Sequence, residues 1–309
     1  MVPDTSNLFS KKSSEEKKPD AENDQVKVAP PKDALNRILS VLRSHTNVDF
    51  SGYKRTTIMR RIQRRMMVQR TRSLADYAKY LSAHEGEVQA LYNDILINVT
   101  EFFRDPESFK ALASKIFPRL LKNRRSQTPI RVWVPGCSTG EEAYSIAISL
   151  VEFQTKAGSQ TPIQIFATDI SEPSIQKARI GQYPESIAQN VSKERLKRFF
   201  DKNEGGYKIH KAIRDLCLFS RHDVTNDPPF AKLDLISCRN VLIYFSRSLQ
   251  DRVIPFFHYG LRPGGYLWLG RAENLGNYAK LFNLLENGHK IYSKSNAPTP
   301  TLHFLTKHF

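Results

Sequence analysis

The stretch IRVWVPGCSTGEEAYSIAISL, residues 130–150, decides the fold class. Its β-branched beginning predicts a strand that ends near Gly136, and a helix is predicted from Glu141 onward. The loop between them also contains Gly140. Glycines there let the backbone turn tightly and approach a ligand at the free N–H groups of a helix terminus. The pattern predicts a cofactor-binding sheet, and a purely structural turn is the alternative.

Asp169, at the end of the next predicted strand IQIFATDI (163–170), strengthens the cofactor interpretation. A carboxylate at that place can accept both hydroxyls of a ribose, as in dinucleotide-binding folds. Its distance from the glycine loop exceeds the roughly 20 residues of that fingerprint because the intervening helix is long. The alternative is that Asp169 only caps the helix that follows.

The residues beside the loop favour S-adenosylmethionine (SAM) over NAD. Glu141 and Glu142 stand at the predicted helix N-terminus, where two carboxylates repel a pyrophosphate but suit an ammonium group. In NVTEFFRD (98–105), Arg104 can pair with a methionine carboxylate through forked, charge-assisted contacts, and Asn98 and Thr100 can add hydrogen bonds. The alternative, which composition alone favours, is a plain connection in which Phe102 and Phe103 pack in the core.

Strands and helices alternate around this stretch, and they predict an α/β domain over residues 96–294. The further strands are predicted at 215–224, 232–240, 264–270 and 288–294. Such alternation predicts a mainly parallel sheet covered on both faces. Helical periodicity over residues 35–95 predicts a small all-α domain. Residues 1–34 are predicted to be a disordered linker or tail, and residues 295–309 a C-terminal tail.

The composition predicts a soluble, cytoplasmic protein without a metal site. The three cysteines form no CxxC pair, and the first residues lack the apolar segment of a signal peptide. The formal net charge is +16. Residues 51–72 hold many arginines and lysines but no acid, and helical spacing pairs Arg60 with Arg64 and Arg61 with Arg65. We predict that these four arginines bind an acidic partner; a diffusely basic surface is the alternative.

Four motifs in order resemble the chemotaxis receptor methyltransferases (the CheR family). The motifs are NVTEFFRD, VPGCSTGEEAYS, FATDIS and LISCRNVLIYF. VTNDPPF, before the last of them, is most similar to the CheR domain of proteins fused to a methylesterase. The resemblance implies a class I SAM-dependent, Rossmann-like methyltransferase with an antiparallel β-subdomain at about residues 183–215. It also implies methyl transfer to glutamates of chemoreceptor methylation helices, with S-adenosylhomocysteine as the product.

The resemblance also assigns the site. The predicted cofactor-binding residues are Asn98, Thr100, Arg104, Gly136, Glu142 (in preference to Glu141), Asp169, Asp223, Val224, Cys238 and Arg239. Tyr244 is expected beside the transferring methyl group, and Arg104 and Tyr244 are the predicted catalytic residues, which shape the site and orient the acceptor. Asp223 stands where many members carry asparagine. The segment at 199–209 is shorter than the loop with which some members bind a receptor's C-terminal pentapeptide, so no such tether is expected.

The tetrapeptide DPPF, Asp227–Phe230, resembles the DPPY signature of enzymes that methylate amino groups. Here it precedes a predicted strand, whereas the signature follows one, and its two prolines cannot continue a ladder. It is therefore predicted to be a turn. Two other functions remain open at this point: a nucleic-acid methyltransferase, which an arginine-rich helix would also suit, and a SAM-sensing module without turnover.

Overall fold

The computed structural model describes residues 31–122 and 127–302. The predicted linker at 1–34 lies outside the described residues except for its last four, and the first helix begins among these, at Pro31. Residues 303–309 of the predicted tail also lie outside. Within the described part of the chain, no helix is long and apolar enough to span a bilayer.

Over the described residues the chain forms eleven α-helices and ten strands. The helices are α1 (Pro31–Thr46), α2 (Arg55–Val68), α3 (Leu74–Ala83), α4 (Glu85–Ile95), α5 (Pro106–Lys115), α6 (Phe117–Leu121), α7 (Glu141–Ala157), α8 (Glu172–Ile180), α9 (Lys193–Phe199), α10 (Lys211–Arg214) and α11 (Arg247–Gly260). The strands are β1 (Ile130–Pro135), β2 (Ile163–Asp169), β3 (Gln182–Tyr183), β4 (Phe200–Asn203), β5 (Gly206–Ile209), β6 (Cys217–Arg221), β7 (Leu233–Cys238), β8 (Leu261–Leu269), β9 (Phe282–Glu286) and β10 (Ile291–Lys294).

Helices α1 to α4 form the predicted all-α domain around one apolar core. The predicted stripe on α2 is present: Ile58 and Ile62 are buried and Met66 packs at the edge of the same core. A 3₁₀ turn, Phe50–Gly52, precedes α2, and Asp49 caps it by accepting a hydrogen bond from a backbone N–H. This turn contacts the α/β domain, because the Ser246 N–H donates to the Gly52 carbonyl at 2.9 Å.

The central sheet has seven strands in the order β6-β2-β1-β7-β8-β10-β9. The first five strands are parallel, and β10 and β9 add an antiparallel edge. Successive residues of β1 enter two different cores, with Val132 and Val134 in one and Trp133 in the other. A strand buried on both faces is what a parallel sheet covered by helices requires. The predicted fold class is confirmed.

A separate three-stranded antiparallel sheet, in the order β3-β5-β4, lies between α8 and α10. Its β4–β5 hairpin turns over only two residues, Glu204 and Gly205. The next residue, Gly206, has a φ of 110°, and a side-chain Cβ there would lie 2.2 Å from the carbonyl oxygen of Tyr183. Glycine is therefore required for this hairpin to pack on β3.

The DPPF segment is a turn before β7, as predicted. Asp227 accepts a hydrogen bond from the backbone N–H of Asp223 at 2.8 Å, and residues 228–230 are irregular up to the strand. Phe230 stacks on Phe166 with the ring centroids 4.7 Å apart, which anchors the turn to the sheet.

Candidate functional site

The glycine loop after β1 brings its backbone against the loop that follows β7. Gly136 has a φ of 68°, and a Cβ added to it would lie 2.4 Å from a methyl carbon of Val241. Gly140, with a φ of 97°, caps the N-terminus of α7. Ser138, between them, also has a positive φ of 50°. A non-glycine residue held in this region is a strained position of the kind found at binding sites.

Asp169 ends β2 and faces the glycine loop. One oxygen accepts the backbone N–H of Ser138 and the other accepts that of Ser171, both at 2.9 Å. Burial raises the pKa of the Asp169 carboxyl, and these N–H donors oppose the rise. The cap of α8 is Ser171, which accepts from Ser174, so Asp169 is not simply a helix cap.

Arg239, directly after β7, joins the NVTEFFRD segment to the start of α7. Its side chain is 1% exposed, and Nη2 donates to the backbone carbonyl of Arg104 (3.0 Å) and to the carboxylate of Asp105 (2.7 Å). Nη1 donates to Glu142 at 3.1 Å. The guanidinium lies over the Trp268 ring, 4.3 Å from its centroid, a cation–π contact that fixes its plane.

Glu142 is held by this arginine and by the hydroxyl of Ser237, which donates to it at 2.7 Å. Burial raises the pKa of the Glu142 carboxyl, whereas Arg239 acts to lower it. The neighbouring Glu141 accepts the hydroxyl of Thr139 instead. Of the two adjacent glutamates, Glu142 lines the cleft.

One cleft collects nearly all the residues predicted for the cofactor and for catalysis. Those that line it are Asn98, Thr100, Arg104, Gly136, Glu142, Asp169, Asp223, Val224, Arg239 and Tyr244. Cys238 does not line it, because its side chain is fully buried in the core on the other side of β7. The Asp223 carboxylate accepts two hydrogen bonds within its own loop, from the N–H (2.9 Å) and the hydroxyl (2.6 Å) of Thr225.

The four arginines predicted to bind a partner lie on α2, outside this cleft. Arg60 and Arg64 are exposed and Arg61 is half-buried. Arg65 turns inward, and its Nε and Nη2 donate to the buried Glu87 at 2.9 and 2.5 Å. The predicted pairing of Arg61 with Arg65 on one cationic face is therefore not what the structure shows.

The sequence did not reveal that the helical domain supplies a wall of the cleft. Tyr53 lines it, next to Asn240, Val241 and residues 95–97 of the connection between the domains. Residues 53 and 245 form an antiparallel bridge, and Lys54 N–H donates to the Tyr244 carbonyl at 2.8 Å. Burial, together with the charges of Asp223 and Asp169, holds the pKa of Tyr53 far above its usual range. No local pattern indicates such a contact.

The residues of the cleft fit SAM. A buried carboxylate at Asp169 suits a ribose, the absent side chain at Gly136 admits a ligand close to the backbone, and Arg104 offers a cation for a carboxylate. Apolar walls come from residues that include Ile170, Val224 and Val241. This mixture of a few convergent polar groups among apolar walls is that of a small-molecule site.

Two family models match the chain, CheR methyltransferase, SAM binding domain over residues 98–291 and CheR methyltransferase, all-alpha domain over residues 33–96. An uncharacterized 104.1 kDa protein of Rhodobacter capsulatus is 40% identical; the match covers 85% of this chain and 28% of that protein. Chemotaxis protein methyltransferase 1 of Pseudomonas aeruginosa is 32% identical, over 75% of this chain and 87% of its own. The chemotaxis protein methyltransferase of Salmonella typhimurium is 33% identical, over 84% and 90%. The chain therefore belongs to the CheR methyltransferase family and uses SAM as its cofactor.

Proposed function

We propose that the protein transfers the methyl group of SAM to glutamate side chains of chemoreceptors and forms glutamyl methyl esters in chemosensory adaptation. The observation that carries the proposal is the convergence of Arg104, Tyr244 and Asp169 on one cleft. The names of the relatives from Pseudomonas aeruginosa and Salmonella typhimurium support the chemotaxis role.

In this proposal the cleft residues bind and orient. Asn98, Thr100 and Arg104 hold the methionine part of the cofactor, Asp169 holds its ribose, and Asp223 and Val224 complete the cofactor pocket. The role of Glu142 is to keep Arg239 in place, and through it the Arg104 segment. The cofactor supplies an electrophilic methyl group on a positively charged sulfur.

No strong base is needed for this reaction, because a glutamate acceptor is ionised at neutral pH. The work of the protein is then positioning, which in favourable cases lowers a barrier by about 7–11 kcal/mol. Tyr244 is half-buried at the end of a 3₁₀ turn, Leu242–Tyr244, and is suited to orient the acceptor rather than to take its proton.

Helix α2 is proposed to receive the acidic acceptor helix. It begins beside the site, because Lys54, its N-cap, donates its N–H to the Tyr244 carbonyl. Arg60, Arg61 and Arg64 then extend a cationic surface away from the cleft, to which acidic receptor segments are complementary. Arg65 is left out of this surface because it is paired with the buried Glu87, whereas Arg64 lies 3.6 Å from Asp94 but keeps a side chain that is 60% exposed.

A C-terminal pentapeptide tether is not part of the proposal. The β4–β5 hairpin turns over two residues, so it offers little loop for a peptide to bind. A fused or separate methylesterase is proposed as the opposing enzyme. Its fusion would agree with the 104.1 kDa relative, of which this chain matches 28%.

The test uses methyl-labelled SAM with membranes that carry candidate chemoreceptors, followed by mild base. Volatile labelled methanol that is absent with Arg104→Ala supports a glutamyl ester, because such esters are base-labile. Base-stable label in protein or nucleic acid would contradict the proposal. SAM binding without label on any receptor tested would favour a sensing module.

A further inference from the structure

A buried carboxylate that has no part in the proposed chemistry lies behind the cleft. Glu273, four residues after β8, is 4% exposed. Its Oε1 accepts the backbone N–H groups of Val241 (2.9 Å) and Leu242 (2.8 Å), and its Oε2 accepts those of Asn240 (3.0 Å) and Gly270 (2.7 Å). Among the residues that the structure describes, no cation pairs with it.

The three consecutive N–H groups belong to the segment that carries the reacting end of the site. Asn240 follows Arg239 directly, and Asn240 and Val241 line the cleft. The 3₁₀ turn that ends at Tyr244 is built on the same residues, since the Tyr244 N–H donates to the Val241 carbonyl at 3.1 Å. Glu273 therefore fixes the backbone segment on which the 3₁₀ turn of Tyr244 is built.

The backbone of this segment is strained, and the hydrogen bonds to the Glu273 carboxylate hold it in the strained conformation. Asn240 has a φ of 60°, in the left-handed region that non-glycine residues rarely adopt. Gly270 leaves room for the contact, because a Cβ there would lie 2.8 Å from Glu273 and 3.0 Å from the Asn240 nitrogen. An ionised carboxylate is the one side-chain group of this size that accepts four N–H bonds at once.

This arrangement costs free energy that simple packing would not require. Burial raises the pKa of the Glu273 carboxyl, and the four N–H donors oppose that rise without a countercharge. Strain and buried charge of this kind are concentrated at functional sites.

We propose that Glu273 is a positioning residue for methyl transfer, which acts by fixing the Asn240–Leu242 segment and so the place of Tyr244. The inference rests on the proposed function only in that Tyr244 faces the acceptor. Glu273 does not line the cleft, and its effect should fall on turnover more than on cofactor affinity, because it bonds to the backbone of residues 240–242 and 270 and not to Asp169 or Arg104.

The experiment compares the Glu273→Gln and Glu273→Asp variants with the wild-type protein, each as the full chain. Glutamine replaces one acceptor oxygen by an NH₂ group that faces two N–H donors, so we expect kcat at saturating SAM to fall about 10- to 100-fold. The KM for SAM should change less than about threefold, a difference of roughly 0.7 kcal/mol. Glu273→Asp keeps the carboxylate and should recover part of the lost kcat.

Asp234→Asn is the matched control. Asp234 is 2% exposed at the other end of β7, where it accepts the Arg131 N–H at 2.7 Å and, unlike Glu273, also pairs with an arginine, Arg262, at 2.5 Å. Amide hydrogen exchange at residues 240–244 should accelerate in Glu273→Gln and stay unchanged in Asp234→Asn. Equal kcat losses in both variants, or unchanged exchange at 240–244, would overturn the proposal. Amide exchange and S-adenosylhomocysteine binding need no turnover, so they test the role of Glu273 even if the wild-type protein forms no methyl ester. The lack of a methyl ester would refute only the proposed function.

Discussion

Glu87, buried in the helical domain, and Glu142, half-buried beside the cleft, have similar partners and opposite pKa shifts. Each pairs with an arginine and accepts a hydroxyl, from Tyr77 or Ser237, at 2.7 Å. Burial acts to raise the pKa of Glu87, but its hydrogen bonds outweigh burial and lower it. For Glu142 burial prevails and the pKa is raised.

The difference lies in how completely each carboxylate is satisfied. Arg65 donates to Glu87 from both Nε and Nη2, and Gln69 adds a further N–H at 2.6 Å. Arg239 divides its donors among Glu142, Asp105 and a backbone carbonyl. The hydrogen bonds in the helical domain fully satisfy Glu87 and stabilise the fold. Those at the cleft keep a carboxylate charged at a cost in folding free energy, as binding sites do. Substitutions should therefore separate stability from cofactor binding.

The largest effect is expected from Arg239→Ala, which damages both properties. It leaves two carboxylates without their arginine, and breaking a buried pair in this way costs about 3–5 kcal/mol. Thermal unfolding should show this loss, and calorimetry should show that S-adenosylhomocysteine binding is lost with it. A stable variant that still binds the cofactor product would mean that Arg239 does not organise the cleft.

Asp169→Asn should remove cofactor affinity and leave stability nearly intact. A hydrogen bond to a charged group contributes about 1.5–3 kcal/mol, so we expect the Kd for SAM to rise roughly 12- to 140-fold. The midpoint of thermal unfolding should move little, because the buried Asp169 carboxylate already costs folding free energy, and the neutral asparagine removes that cost together with the hydrogen bonds to the charge. Calorimetric titration beside a melting curve measures both. An unchanged Kd for SAM would mean that Asp169 does not bind the ribose.

Glu87→Gln should do the reverse, with a loss of about 1–3 kcal/mol in stability and unchanged cofactor affinity. The pH dependence should differ in sign between the two regions. Because the pKa of Glu87 is lowered, its stabilisation is present above the unfolded pKa and is lost as the pH falls through the folded pKa. The pKa of Glu142 is raised, so its contribution is present at low pH and is lost as the pH rises through the folded pKa. Denaturant titrations of wild type and Glu87→Gln between neutral and acidic pH should converge towards the acid side; parallel curves would contradict this.

The same contrast shows what the sequence could reveal. The glycine loop and Asp169 were predicted because a parallel sheet brings strand ends to one edge, so that local motifs suffice. Arg104 lies between α4 and α5, away from the strand ends, and was predicted from the family resemblance. Helical spacing could not tell which arginine of α2 turns inward, since the partner of Arg65 lies on another helix. Glu273 was missed for the same reason: three of its four donors are backbone groups 31 to 33 residues before it, and the fourth, that of Gly270, gives no pattern by itself.

Charge reversal on α2 should weaken the acceptor interaction without touching the cofactor. We expect Arg60→Glu to lower the rate of receptor methylation about tenfold at low salt, because electrostatic steering contributes at least that much to association. Lys79→Glu, an exposed charge reversal on α3, is the matched control. The deficit should shrink as salt is added. If both variants lose the same rate, only net charge matters and α2 has no specific role.

The smallest effect should come from Tyr53, which packs against the helical core and also lines the cleft. Its ring packs edge-on against Phe245 with the centroids 5.1 Å apart, and the backbone bridge between residues 53 and 245 joins the helical domain to the Tyr244 segment. Tyr53→Phe keeps the ring and removes only a hydroxyl beside the charges of Asp169 and Asp223, so the KM for SAM should change by less than about 1 kcal/mol, or roughly fivefold. Tyr53→Ala removes the ring contact as well and should lower kcat further. If Tyr53→Ala leaves kcat unchanged, the helical domain does not position Tyr244, and the two regions are coupled only through the acceptor that both bind.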